Sequence, residues 1–357
     1  MINNLSLKNF RCFESLDISL SSGINFFYGK NGSGKTSILE SIYLCSSGKS
    51  FKSSNIKSLI QIDKDSFLIK GYDNERGYTL QISKSNNVSL TIVANNSKVT
   101  SSKLIKEFPA TAIHNNTFSF ADASPDFRRK LLDRALFVSN DQFSETWFSF
   151  YRCLKQRNSI LRGGSLKNIE PWDIKIADEG VKLNKYRADF FNLTLDELCN
   201  IIDKLDESKS TNYLRNIDIA FYSGWANDST LSRTITNNRY QDLKRRTTTL
   251  GPHKADIKFL INDIDARQIL SRGEQKLFSI LWCCAQHEVL RKSFNIRASL
   301  IIDDIKSELD DSTFLVFLNL LKLLNNQVIF SCIDDHFSSK IEPNFREFKK
   351  FHVEQLR

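Results

Sequence analysis

The chain has 357 residues, 41% of them hydrophobic, enough to bury a full core and to build two domains or one large domain carrying an insertion. No run of eighteen apolar residues occurs, and the seven cysteines are scattered, odd in number and without CxxC spacing, which argues against a membrane span, a disulfide framework and a cysteine metal centre. A net charge of +9 and an N-terminal segment without a signal-peptide core lead us to expect a cytoplasmic protein that meets a polyanion.

The opening segments "NNLSLKNF" and "LDISL" alternate and "INFFYG" is wholly apolar, predicting a short meander that feeds a buried strand. That strand runs into "GKNGSGKT", where Gly29, Gly34, Lys35 and Thr36 fit the G-x-x-x-x-G-K-[ST] pattern of a phosphate-binding loop. Here the backbone amides from Gly29 through Lys30, Asn31, Gly32, Ser33 and Gly34 to Ser37 converge on phosphate, helped by the dipole of a helix starting near Thr36. Lys35 supplies a cation to the β- and γ-phosphates, and the Thr36 hydroxyl is placed to hold Mg²⁺. An idle glycine turn is the bland alternative, disfavoured by the flanking strand and helix.

Residues 59 to 100 alternate with period two between Asn and Gly turns, predicting a second, antiparallel sheet. From Pro125 to about Leu205 the spacing becomes helical, interrupted by "LRGGSLKN". Strand and helix alternation returns after a polar stretch near 223 to 249, with strands at "ADIKFLI", "SLIIDD" and "QVIFSCI". Ser271 and Glu274 have capping-box spacing before an apolar helix, yet Ser271, Gly273 and the helix N-terminus would equally make an anion site; the residues alone leave both open. Neighbouring side chains on a strand face opposite ways, so Asp303 is expected to hold Mg²⁺ and Asp304 to orient or deprotonate a water.

Taken together, "LSLKNFRCFE", "GKNGSGKTSILESIY", "GKSFKS", "SPDFRRKLLD", "LKQRNSILR", "GPHKAD", "LSRGEQKL" and "IIDDIKSELD" resemble the ABC-type ATPases of the SMC class, and within them the RecF family. The resemblance spans nearly the whole chain. It implies an α/β fold: an ABC/SMC-type P-loop ATPase head with mixed sheets and an inserted, mostly helical lobe. The head would comprise 1–124 and 241–357, the lobe 125–240. Ser271 to Glu274 match a signature motif that completes the site of a second subunit, and Ser307 to Asp310 match the D-loop. Arg11 and Lys52 fall in matching segments near the loop and are nucleotide-contact candidates.

The implied cofactors are ATP and Mg²⁺, with Lys35 and Asp304 catalytic and hydrolysis weak, DNA-stimulated and switch-like. Implied partners are a second copy of the chain, DNA (double-stranded, gapped or single-stranded), RecR, and through it RecO and RecA, with a link to the SOS response. Basic residues at Arg128, Arg129, Lys155 and Arg157 are the DNA-contact candidates, with a further cluster at Lys244, Arg245 and Arg246. Two rival readings remain, a transporter ATPase subunit and a nuclease with an SMC-like head. One departure stands out: Asn115 and Asn116 replace the Pro-Glu usual in RecF-like sequences, which puts the Mg²⁺-sensing step in question.

Overall fold

Alternation in the first segments becomes an antiparallel hairpin of β1 (Asn4–Phe10) and β2 (Phe13–Ser19), burying Leu5, Leu7 and Phe10 on one face. The computed structural model describes residues 1–114, 123–205, 209–336, 338, 342–345 and 347–357. They fall into two units, one of Met1–Ser119, Asn200–Thr211 and Ser271–Arg357, the other of Phe120–Cys199 and Asn212–Leu270.

In the first unit β3 (Ile24–Tyr28) leads to α1 (Lys35–Ser47), followed by β4 (Ser66–Asp73), β5 (Tyr78–Ser85), β6 (Val88–Ala94), β7 (Ser97–Lys98), α2 (Ser101–Glu107) and β8 (Ala110–Ile113). The expected separate meander and second sheet are one sheet of order β2-β1-β4-β5-β6-β7, joined where Leu7 pairs with Ile69. β3 leaves it for a physical reason. Ile24 to Phe27 are buried on both faces, whereas the β1 to β7 sheet keeps one face with polar side chains such as Lys8 and Lys70.

The second unit contains α3 (Pro125–Ser139), α4 (Asp141–Arg162), α5 (Glu170–Leu205), β9 (Asp218–Tyr222), α6 (Leu231–Asn237), α7 (Arg239–Arg245), β10 (Asp256–Ile261), β11 (Ile264–Asp265) and α8 (Ala266–Ile269). Ser124 caps α3 with Pro125 in its first turn, Asn140 caps α4, and "LRGGSLKN" separates α4 from α5. "ADIKFLI" contributes β10, the centre of a small antiparallel sheet of order β11-β10-β9.

The chain then re-enters the first unit through α9 (Arg272–Phe294), β12 (Ser299–Ile302), α10 (Ile305–Glu308), α11 (Asp311–Leu323), β13 (Val328–Cys332) and β14 (Phe348–His352). A parallel sheet of order β14-β3-β13-β12-β8 results, with Phe26 stacked on Phe330 and Phe27 on Phe351 at 4.8 and 4.6 Å. Its pairing brings the carboxyl ends of β3, β12 and β13 together, the edge where open α/β sheets take ligands. All seven cysteines are free thiols, and burial pushes Cys45 and Cys283 up to about 12, so both are unreactive at neutral pH. Among the described residues no helix is long and apolar enough to cross a membrane.

Candidate functional site

β3 ends at Tyr28 and α1 begins at Lys35, so the glycine-rich segment forms the loop between them. Gly29 and Gly34 sit at φ 146° and 115°, the left-handed side that a side chain resists, and a Cβ on Gly34 would strike the Phe13 ring at 2.6 Å. α1 begins with no side-chain cap and no acid in its first turn, unlike α3, α4, α9 and α11, each capped by a side chain. Its leading N–H groups are therefore left for an anion. The Lys35 ammonium donates to the carbonyls of Gly29 and Lys30 at 2.6 and 3.0 Å, folding back over the loop.

The second strand arrives from β12. Thr36 donates its hydroxyl to both oxygens of Asp303 at 3.1 and 3.0 Å, and the Ser331 hydroxyl donates to the same carboxylate at 2.9 Å. Burial raises the Asp303 carboxyl above its ordinary value, opposed by the Ser331 and Thr36 hydroxyls. The two aspartates do not separate by strand alternation as expected. β12 stops at Ile302, so both lie beyond the strand, and Asp304 turns left-handed at φ 50° to open α10. Asp304 Oδ1 is buried with no partner among the described residues.

Gly32, Gly34 to Ser37, Asn31, Arg11, Lys52 and Asp304 line a cleft of about 470 Å³, within the usual range of a small-molecule site. Arg11 is already committed: its guanidinium forks onto Glu40 with two bonds of 2.9 Å and donates to the Ser58 carbonyl at 3.0 Å, so it shapes a wall. Lys52 is exposed at the mouth, and its charge lowers Asp303 slightly against burial. A larger cavity of about 610 Å³ lies on the polar face of the antiparallel sheet, between Asn4, Lys70, Tyr72 and Gln81, and has no such loop.

Ser271 and Gly273 lie outside this cleft. Ser271 accepts from the Glu274 N–H at 3.3 Å while Glu274 accepts from the Ser271 N–H at 2.8 Å, so in this state the cap is made. A Cβ on Gly273 would stand 3.2 Å from Asp310, whose side chain caps α11 and is held down to about 2 chiefly by the Thr313 N–H. The segments around Gly273 and Asp310 thus meet within the first unit.

In the second unit three of the four DNA-contact candidates are corrected. Arg157 is fully buried and bonds Asp173, Asp242 and Thr248, each at 2.7 Å. Arg128 forks onto Asp256 at 2.8 and 2.9 Å, and Arg129 donates to the Ala255 carbonyl at 2.6 Å. Arg157 is shielded from solvent altogether, and Arg128 and Arg129 are turned onto partners of their own unit, so all three brace the fold rather than face a nucleic-acid phosphate. Lys155 remains exposed. It lies on an outward stripe of α4 with Phe148, Arg152, Ser159 and Arg162, and Arg152, Lys155 and Arg162 have no ion-pair partner among the described residues. Sequence spacing held this stripe, but clustering by adjacency singled out Arg157 instead of Arg152.

The RecF/RecN/SMC N-terminal domain family matches residues 1–354. The DNA replication and repair protein RecF of Pseudoalteromonas translucida is 32% identical over 99% of this chain and 97% of its own length, and that of Mannheimia succiniciproducens 31% over 99% of each. The chain belongs to the RecF family. In fold it is similar to a recombination mediator RecF solved with ATP in the RecFOR pathway, at TM-score 0.78 and 22% identity over 99% of this chain and 96% of that one. An Smc head bound to the C-terminal winged-helix domain of ScpA matches at TM-score 0.57 and 17% identity, over 95% and 92%.

Two segments that carry the RecF-family resemblance, "SPDFRRKLLD" and "GPHKAD", meet at Arg128 and Asp256, so part of the resemblance has a packing cause. Asn115 and Asn116 lie outside the described residues. One contact had no signal in the sequence: Glu354, far along the chain, touches the phosphate loop.

Proposed function

We propose that the chain binds ATP and DNA and acts in DNA replication and repair as a recombination mediator, using ATP-driven pairing of two copies as its switch. The observation that carries this reading is the bond from Thr36 to Asp303, which joins the phosphate loop to the acidic strand end beside an uncapped helix. In this reading Lys35 exchanges its loop carbonyls for phosphate oxygens. Thr36 and Asp303, a hydroxyl and a carboxylate, suit Mg²⁺, which prefers oxygen ligands and takes the rest from phosphate and water. When bound there, the cation supplies charge stabilisation to the phosphates. Asp304, with an oxygen unclaimed inside the cleft wall, orients or deprotonates the attacking water. Ser271 would leave its cap to reach the phosphate held by the other copy.

Relatives named as DNA replication and repair proteins, matching over nearly their whole length, support the repair role. The unpaired cations of α4 support a contact with the DNA backbone rather than with base edges. In that role the chain acts with RecR, and through RecO, in placing RecA at single-strand gaps. Gel filtration with and without ATP and a gapped duplex tests it: ATP should shift the chain to a dimer, and Ser271→Arg should abolish the shift. A monomer under every condition overturns the reading.

A further inference from the structure

β14 pairs in parallel with β3 so that His352 stands opposite Tyr28, their rings stacked at 4.9 Å. This register carries the following residues alongside the phosphate loop. Val353 is fully buried as an anchor. Glu354 Oε1 accepts the Lys30 N–H at 2.7 Å, its Oε2 lies 2.9 Å from His352 Nε2, and Arg357 donates to the Gly32 carbonyl at 2.8 Å.

The Lys30 N–H and the Gly29 carbonyl belong to one peptide unit. That unit is gripped at both ends, its N–H by Glu354 on the outside and its carbonyl by the Lys35 ammonium on the inside, at 2.7 and 2.6 Å. A peptide preceded by glycine turns over easily, because no Cβ hinders rotation at Gly29. With the outer acceptor removed, the unit is free to flip, taking its carbonyl away from Lys35. Glycine at 29 suits its φ of +146°, and a Cβ there would lie 2.2 Å from Glu354 Oε2 and push that carboxylate aside. The Lys30 N–H also holds the Glu354 carboxyl below its ordinary value, in keeping with the bond it accepts.

We propose that Glu354 is a positioning residue for nucleotide binding, acting through the Gly29–Lys30 peptide to set the Lys35 ammonium. The inference rests on the nucleotide reading above. It goes beyond it by giving the far end of the sheet a part in phosphate recognition.

Equilibrium titration with a fluorescent ATP analogue tests it in the full chain, with thermal unfolding as the check on folding. Glu354→Ala should weaken binding about tenfold, the scale of one lost hydrogen bond, whereas Glu354→Gln, whose amide oxygen still accepts the Lys30 N–H, should stay within about twofold of the parent. In a Lys35→Ala background, Glu354→Ala should add less than about twofold, because the residue acts through Lys35. Unchanged affinity in E354A, equal losses in E354A and E354Q, or an undiminished effect without Lys35 would each overturn the inference alone. Failure of the parent chain to bind the analogue would overturn the nucleotide reading, and this inference with it.

Discussion

Arg157→Ala separates a strut from a DNA ligand. Arg157 and its partners Asp173 and Asp242 have side chains 0%, 3% and 1% exposed, and truncation removes the guanidinium from Asp173 Oδ1 and Asp242 Oδ2 under the surface, while Thr248 keeps its bond to Asn158 and the other Asp242 oxygen keeps Asn238 and Thr249. Asp173 keeps Arg239, at 2.5 Å, whereas Asp242 loses its only guanidinium among the described residues. Breaking a buried pair from one side costs about 3–5 kcal/mol, a large share of the roughly 5–15 kcal/mol that holds a domain together. With a urea dependence of about 2 kcal/mol per molar, the midpoint of this unit should fall by about 2 M. Tryptophan fluorescence reads it directly, because Trp147, Trp172 and Trp225 belong to the second unit and only Trp282 to the first. At a temperature where the variant stays folded, its affinity for duplex DNA should match the parent. A midpoint shift below about 0.5 M together with weakened DNA binding would refute the strut and return Arg157 to the DNA surface.

Charge reversal on the outward stripe, Arg152→Glu with Lys155→Glu and Arg162→Glu, should weaken DNA binding and flatten the plot of log affinity against log salt by about 2.7, or 0.9 per lost phosphate contact; an unchanged slope would place the contact elsewhere. Asp304→Asn should slow ATP hydrolysis by about 10²–10⁴-fold while leaving ATP-driven pairing intact; steady-state phosphate release and gel filtration read the two separately, and loss of both would make Asp304 a binding group. Asp303→Asn bears on pH. Burial raises the folded carboxyl above its ordinary 3.8, so the ionised group costs stability at neutral pH, and that cost disappears below the ordinary value. The nucleotide-free variant should therefore melt higher than the parent at pH 7, with the gap closing toward pH 4; a lower melting point at pH 7 would contradict the sign.

Local chemistry was legible in the chain itself. The loop from Gly29 to Thr36, the breaks around α4 and the acidic end of β12 are short-range requirements of φ and periodicity, and each falls where the residues put it; at Ser271 the cap, one of the two readings the residues left open, is made. The RecF-family resemblance followed from the order of those segments. Tertiary structure decided what local rules cannot express. Whether an arginine meets solvent or a protein acceptor depends on which distant segment folds over it, so Arg157, Arg128 and Arg129, read as members of two basic clusters, fold as struts. Asp303 and Asp304 lie past the end of β12, with Asp304 left-handed, so strand pleating does not govern them. Glu354 and Lys30 are 324 residues apart, and only the parallel register of β14 on β3 brings the carboxylate to the loop.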